Sequence, residues 1–202
     1  MAKADQSTQV RNLFDRLKAG DEAAKDALIT HVYKRAHKIS QRELRGFPNV
    51  KRWDETDDVW HEAMLRLRKA LDKTHPETVD GLLGLAAQNI RWTLQDLVRR
   101  NLGAHGLGQQ QELVEGDSTK REMEVQADTA GPRTLAEYTE LHQIVEKMPG
   151  DVMPTFELCY YNGLTQEAAA EILGVDKRTI QRRMRAAKQW LAERLRGDDG
   201  PS

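Results

Sequence analysis

A chain of 202 residues is long enough for one medium domain or two small ones, and its 39% hydrophobic and 31% charged residues fit soluble helical modules. Its 31 Lys+Arg against 32 Asp+Glu leave a formal net charge of -1, so whole-molecule electrostatics supply no general pull toward nucleic acid. No apolar run approaches the ~20 residues of a membrane span, residues 1–7 lack the apolar core of a signal peptide, and the lone Cys159 can form no internal disulfide; a cytoplasmic location without membrane insertion is expected.

Nearly every segment repeats at helical spacing, which predicts an all-α fold. Val10, Leu13, Phe14 and Leu17 line a short amphipathic helix ending at Gly20, and Ala24, Leu28, Val32, Ala36 and Ile39 line a longer one that Asp21 can cap. A loop through Gly46, Pro48 and Trp53 breaks the period, after which Thr56 caps a helix carrying Val59, Trp60, Ala63, Leu67, Ala70 and Leu71. A break at 73–77 precedes a long helix over 79–100, striped by Val79, Leu82, Leu83, Ala86, Ile90, Leu94, Leu97 and Val98 and closed by Arg99 and Arg100, cations suited to a helix C-terminus. These four helices make an N-terminal module, 1–100. Over 101–133 the periodicity fades into glycines, glutamines and an acidic cluster from Glu112 to Asp128, the composition of a flexible linker. Thr134 and Glu137 form a capping box for a helix bearing Leu135, Tyr138, Leu141, Ile144 and Val145, and Pro149-Gly150 separates it from a helix starting near Asp151. The second module spans 134–196, with 197–202 as a disordered tail.

Within that second module Thr165 can cap a helix with an apolar face of Ala169, Ile172 and Leu173, and Gly174 can end it in the left-handed conformation. Val175 plugs the angle to the next helix, which Asp176 can cap. There Ile180, Met184, Ala187 and Leu191 face inward, which turns Lys177, Arg178, Gln181, Arg182, Arg185 and Lys188 outward with no acid among residues 177–188. A one-signed stretch suits phosphate contacts, and the first turn of such a recognition helix reaches base edges, Arg being suited to guanine and Gln to adenine. A charge run alone favours the solvated face of a helical hairpin. The capped helix, the Gly-containing turn and the basic second helix together favour a DNA-binding helix-turn-helix.

Two stretches resemble one family in the right order. Met148-Pro149 and Tyr160-Tyr161-Asn162-Gly163-Leu164-Thr165 onward to Leu191 are similar to the minus-35 reader of the bacterial RNA polymerase sigma factors, and Asp57-Asp58-Val59-Trp60-His61-Glu62-Ala63-Met64-Leu65-Arg66-Leu67 is similar to their polymerase-docking helix. The chain thus resembles the small two-domain, extracytoplasmic-function (ECF) type over nearly its whole length apart from the linker. The resemblance implies minus-35 contacts from Thr165, Lys177, Arg178, Thr179, Gln181, Arg182, Arg183, Arg185 and Lys188. For minus-10 recognition and melting it implies Lys73, His75, Asn89, Arg91, Trp92, Arg99 and Arg100, and for polymerase docking Asp58, His61, Glu62 and Arg66. Melting requires aromatics that stack on freed bases and cations that hold the backbone; Trp92 is open to that role or to a place in the core. The chain departs from the family pattern at His61, where Gln is common, and at Leu82, where Trp is frequent. Ala186 stands where an Arg is usual, with Arg185 one position earlier and so rotated by about 100° around the helix.

The expected partners are core RNA polymerase and promoter DNA, and the family commonly adds an inhibitory anti-sigma factor; no cofactor is expected. The rival readings are a dimeric helix-turn-helix regulator, which would protect a palindromic site with half-sites about one helical turn apart, and a helical adaptor that binds only proteins. Enzyme readings lack support: there is no paired-carboxylate, nucleophile or phosphate-cradling motif, and Leu65 stands where a zinc helix beginning His61-Glu62 would need its second His.

Overall fold

In a computed structural model, described over residues 5–43, 57–103 and 135–195, the apolar stripes form eight α-helices and one π-helical turn, with no strand among those residues. The helices are α1 (Asp5–Lys18), α2 (Glu22–Glu43), α3 (Asp57–Thr74), α4 (Val79–Gly103), α5 (Leu135–Val145), α6 (Val152–Phe156), α7 (Gln166–Leu173) and α8 (Lys177–Leu195), with the π turn Glu157–Tyr161 following α6 directly. The fold is all-α. The expected caps at Thr56 and Thr134, the loop before α3, most of the 101–133 linker and the 197–202 tail lie outside the described residues.

Local chemistry accounts for the helix limits. Gly20 takes φ +81°, beyond the left-handed limit that suits other residues, and Asp21 Oδ1 accepts from the amides of Ala23 and Ala24 at 2.9 and 3.2 Å, starting α2. Leu28, Val32, Ala36 and Ile39 are buried along that helix, and Val59, Trp60, Ala63, Leu67 and Leu71 along α3. The α3 helix runs to Thr74, so Lys73 sits in its last turn rather than in the break, and α4 continues to Gly103, past the expected end at 100.

The α4 helix is the centre of the molecule. Leu82, Leu83, Ala86, Ala87, Ile90, Leu94, Leu97 and Val98 are all buried, on more than one side of the helix, because α2 and α3 cover part of its surface while α5 and the π turn cover another part. The C-terminal helices add Tyr138, Val145, Phe156, Leu158 and Tyr161, then Ala168 and Ala169 of α7 and Ile180, Met184, Ala187 and Leu191 of α8, to one continuous apolar core. The helices on either side of residues 104–134 therefore pack directly against each other.

Candidate nucleic-acid interface

The helix-turn-helix is built by three short-range devices. Thr165, in an extended conformation, accepts at Oγ1 from the Ala168 amide at 3.2 Å and so opens α7. Gly174 closes α7 at φ +64°, ψ +32°, with its amide bonded to Ala170 O. Asp176 Oδ1 then accepts from the Thr179 amide at 2.7 Å, an interaction that holds the Asp176 carboxyl below its ordinary pKa and fixes the first turn of α8. The sequence reading of this motif agrees with the geometry at each of these positions.

On α8 the buried series Ile180, Met184, Ala187 and Leu191 seats the helix against α5, α6 and α7. Lys177, Arg178, Gln181, Arg182 and Arg185 are exposed, and Lys188 is half-buried. Two of the predicted contact residues have acidic partners at the margin: Lys177 pairs with Glu167 on α7, and Arg183 donates to Asp151 at 2.7 Å with its side chain largely covered. Among the described residues no acid pairs with Arg178, Arg182 or Arg185. Together with Asp176, Thr179, Ala186 and Gln189 these three arginines line a shallow concavity, in which the three guanidinium charges outnumber the one carboxylate at the start of α8.

The residues expected near the minus-10 element divide sharply. Lys73 and His75 are exposed at the α3–α4 junction, where His75 adopts φ +45°, and His75 lines a 360 Å³ cavity whose other charged members are Lys18, Lys25, Asp21, Glu22, Asp72 and Glu77. Trp92 is 37% exposed on α4, and the Arg66 guanidinium lies 5.8 Å from its ring centroid. Arg99 is exposed, and the side chain of Arg100 lies outside the described residues. Asn89 and Arg91 are turned away from solvent. Asn89 donates to Ala63 O at 3.3 Å, tying α4 to α3, and Arg91, 2% exposed, points toward the C-terminal helices.

Of the expected docking residues, His61 and Glu62 are exposed on α3 and the Asp58 side chain lies outside the described residues. Arg66 bridges α3 and α4, donating to Asp96 at 2.9 Å and to Thr93 Oγ1 at 3.3 Å. Leu65, 44% exposed, stands beside it in the sequence. The α3 surface thus joins the Trp92 face of α4 through Arg66.

A capped helix-turn-helix with a basic outward strip lies next to a four-helix group that presents an exposed tryptophan and a polar α3 surface. The family model for ECF sigma factors matches residues 7–197. The chain belongs to that family. It is also similar to the RNA polymerase sigma-H factor of Pseudomonas aeruginosa, with 25% identity over 189 residues that cover 93% of this chain and 94% of the relative. No helix among the described residues of this sigma factor is long and apolar enough to cross a membrane.

The sequence reading missed the contacts between the two halves of this sigma factor. Arg91 Nη1 meets Glu157 Oε1 at 2.6 Å with both side chains buried, and its Nε reaches Glu146 at 3.3 Å. Burial opposes the Arg91 charge, but Glu157, Tyr161 and Glu146 more than offset it and hold the guanidinium above its ordinary pKa. Beside this pair His142 is fully buried, with Nδ1 2.7 Å from the Tyr161 hydroxyl; burial and then the nearby Arg91 charge push its pKa down to about 3. One sequence signal pointed this way: Glu157 interrupts the apolar run Phe156, Leu158, Cys159, Tyr160, and a carboxylate buried in such a run needs a cation. The location of that cation, 66 residues away, has no local signature.

Proposed function

We propose that the chain is a promoter-specificity subunit that binds core RNA polymerase and directs transcription initiation at promoters with separated minus-35 and minus-10 elements. In this reading residues 134–196 form the minus-35 reader. Arg178, Gln181, Arg182 and Arg185 of α8 carry its base and phosphate contacts, Lys177, Thr179, Arg183 and Lys188 flank them, and Thr165 sets the end of α7 that faces the backbone. Residues 1–100 form the second module. Trp92 and Arg99 on α4, with Lys73 and His75 at the α3–α4 junction, hold the melted minus-10 strand by stacking and charge, while Asp58, His61, Glu62 and Arg66 dock on the polymerase. The 101–133 segment connects the modules, no covalent step is catalysed, and the protein works in the cytoplasm without membrane insertion. An anti-sigma factor is a further partner of the kind common in the family.

The observation that carries this reading is the strip of Arg178, Arg182 and Arg185 on a capped helix-turn-helix, within a chain whose family match extends through both modules. A net charge of -1 supports the dependence on polymerase, since one basic strip on a near-neutral chain supplies only part of the electrostatic binding energy. The test is run-off transcription with purified core polymerase and a promoter library. A promoter-specific transcript that requires the added chain supports the proposal; its absence across compatible polymerases refutes it.

A further inference from the structure

Among the described residues Leu65 and Trp92 are the large apolar side chains that face solvent. Trp92 does not stand free. The Arg66 guanidinium of α3 lies 5.8 Å from the centroid of its ring, and two other residues of α4 hold that guanidinium: Nη1 donates to Asp96 Oδ2 at 2.9 Å and Nη2 to Thr93 Oγ1 at 3.3 Å. Thr93 is fixed in turn, being buried and donating its own hydroxyl proton to Asn89 O at 2.7 Å. Arg66 Nε is enclosed with no hydrogen-bond partner among the described residues, so the side chain keeps its place against a desolvation cost.

Asp96 closes the arrangement. Its second oxygen accepts from Arg99 at 3.4 Å, so one carboxylate sits between two guanidiniums and the local charge stays positive. Trp92, Asp96 and Arg99 recur at steps of four and three, which puts them on one face of α4. An unheld surface indole samples several rotamers and loses that freedom when a base stacks on it. A ring already packed on a clamped guanidinium has less freedom to lose.

We propose that Arg66, clamped by Asp96 and Thr93, is a positioning residue of the minus-10 reader: it fixes the Trp92 ring as a preformed platform for an unpaired base. The role rests on the reading of Trp92 as the stacking residue and is additional to the polymerase docking assigned to Arg66. It makes Asp96 a determinant of melted-strand binding although a carboxylate has no attraction for DNA. Neutralising an acid beside a nucleic-acid site ordinarily strengthens binding, by removing repulsion and freeing the neighbouring arginine. Here the loss of the Asp96 carboxylate weakens binding, because it loosens the platform.

The first test uses the free full-length chain labelled with fluorotryptophan, in which Trp92→Phe identifies the Trp92 resonance among those of Trp53, Trp60 and Trp190. Asp96→Ala and Arg66→Met should each shift and sharpen the Trp92 signal more than the other three; equal movement of all four, or none, overturns the clamp. The second test uses the complex, at a core polymerase concentration that saturates each variant, and measures binding of the single-stranded non-template minus-10 oligonucleotide of the run-off promoter. Trp92→Ala should weaken it about tenfold, and Asp96→Ala about threefold, the worth of an exposed cation–π contact. Added to Trp92→Ala, Asp96→Ala should weaken it no further, because it acts through the ring. Unchanged or tighter binding by Asp96→Ala, or a loss that persists without Trp92, overturns the positioning role. Unchanged binding by Trp92→Ala ends the platform reading of Trp92 and the positioning role with it. If the unsubstituted chain yields no transcript, the sigma reading fails by itself, and the resonance measurement still decides the clamp.

Discussion

Thr165 illustrates how much of the candidate interface rests on single atoms. Its hydroxyl closes one of the amides left open at the start of α7, at Ala168, and its own amide is bound by Gln6 from α1. Thr165→Ala removes the cap, and urea denaturation should show a loss of about 1 kcal/mol. Thr165→Ser keeps the oxygen and should recover most of it. His142 works at a larger radius. Because it is buried and neutral with a pKa near 3, the unfolded chain binds a proton at about 6.5 that the folded chain refuses. Its contribution is fully present above about pH 6.5 and is lost progressively as the pH falls from there toward 3. Urea midpoints measured across that window should decline, and His142→Gln should flatten the decline while leaving the slope from the carboxylates at lower pH. Caps were legible from residue type because they act across three or four positions; the burial of His142 was not, since a lone His in a helix carries no sign of what will cover it.

At the scale of elements, α8 is the clearest case of sequence dictating both structure and surface. The step of three or four between Ile180, Met184, Ala187 and Leu191 decides which face is buried, and helical geometry then sends Arg178, Arg182 and Arg185 the opposite way. Replacing Arg178 and Arg182 with Glu leaves that core untouched. It should reduce promoter binding by at least tenfold in the polymerase complex and flatten the salt dependence of binding, with the helix content by circular dichroism unchanged. The adaptor reading expects no loss, so a neutral result would favour it. The α4 helix shows where periodicity stops being informative. Its apolar stripe was visible, but Ala87, Asn89 and Arg91 extend the buried surface around the helix, and which neighbour lies on each side is a property of packing rather than of period.

For the whole molecule, the buried Arg91–Glu157 pair is the contact with the largest consequence. Two charges removed from water are tolerated only while each has the other, so Glu157→Ala strands a guanidinium and should cost about 3 kcal/mol or more in global stability by denaturant titration. Replacing both partners together with apolar residues, Arg91→Met with Glu157→Leu, should cost clearly less than Glu157→Ala alone. That ordering separates a buried ion pair from two independent packing residues.

The all-α fold, the capped starts of α2, α7 and α8, the glycine stop of α7 and the outward basic strip of α8 were determined by the sequence itself, because caps, glycine turns and apolar spacing act over a few residues and leave little freedom to the chain. Only the tertiary structure decided that α4 serves both halves of the molecule, that Arg91 faces Glu157 rather than solvent, and that Gln6 reaches the Thr165 amide. These contacts join residues 66 and 159 positions apart. Their partners are selected by complementarity of shape and charge once the helices exist, and no local pattern in a single chain encodes that choice.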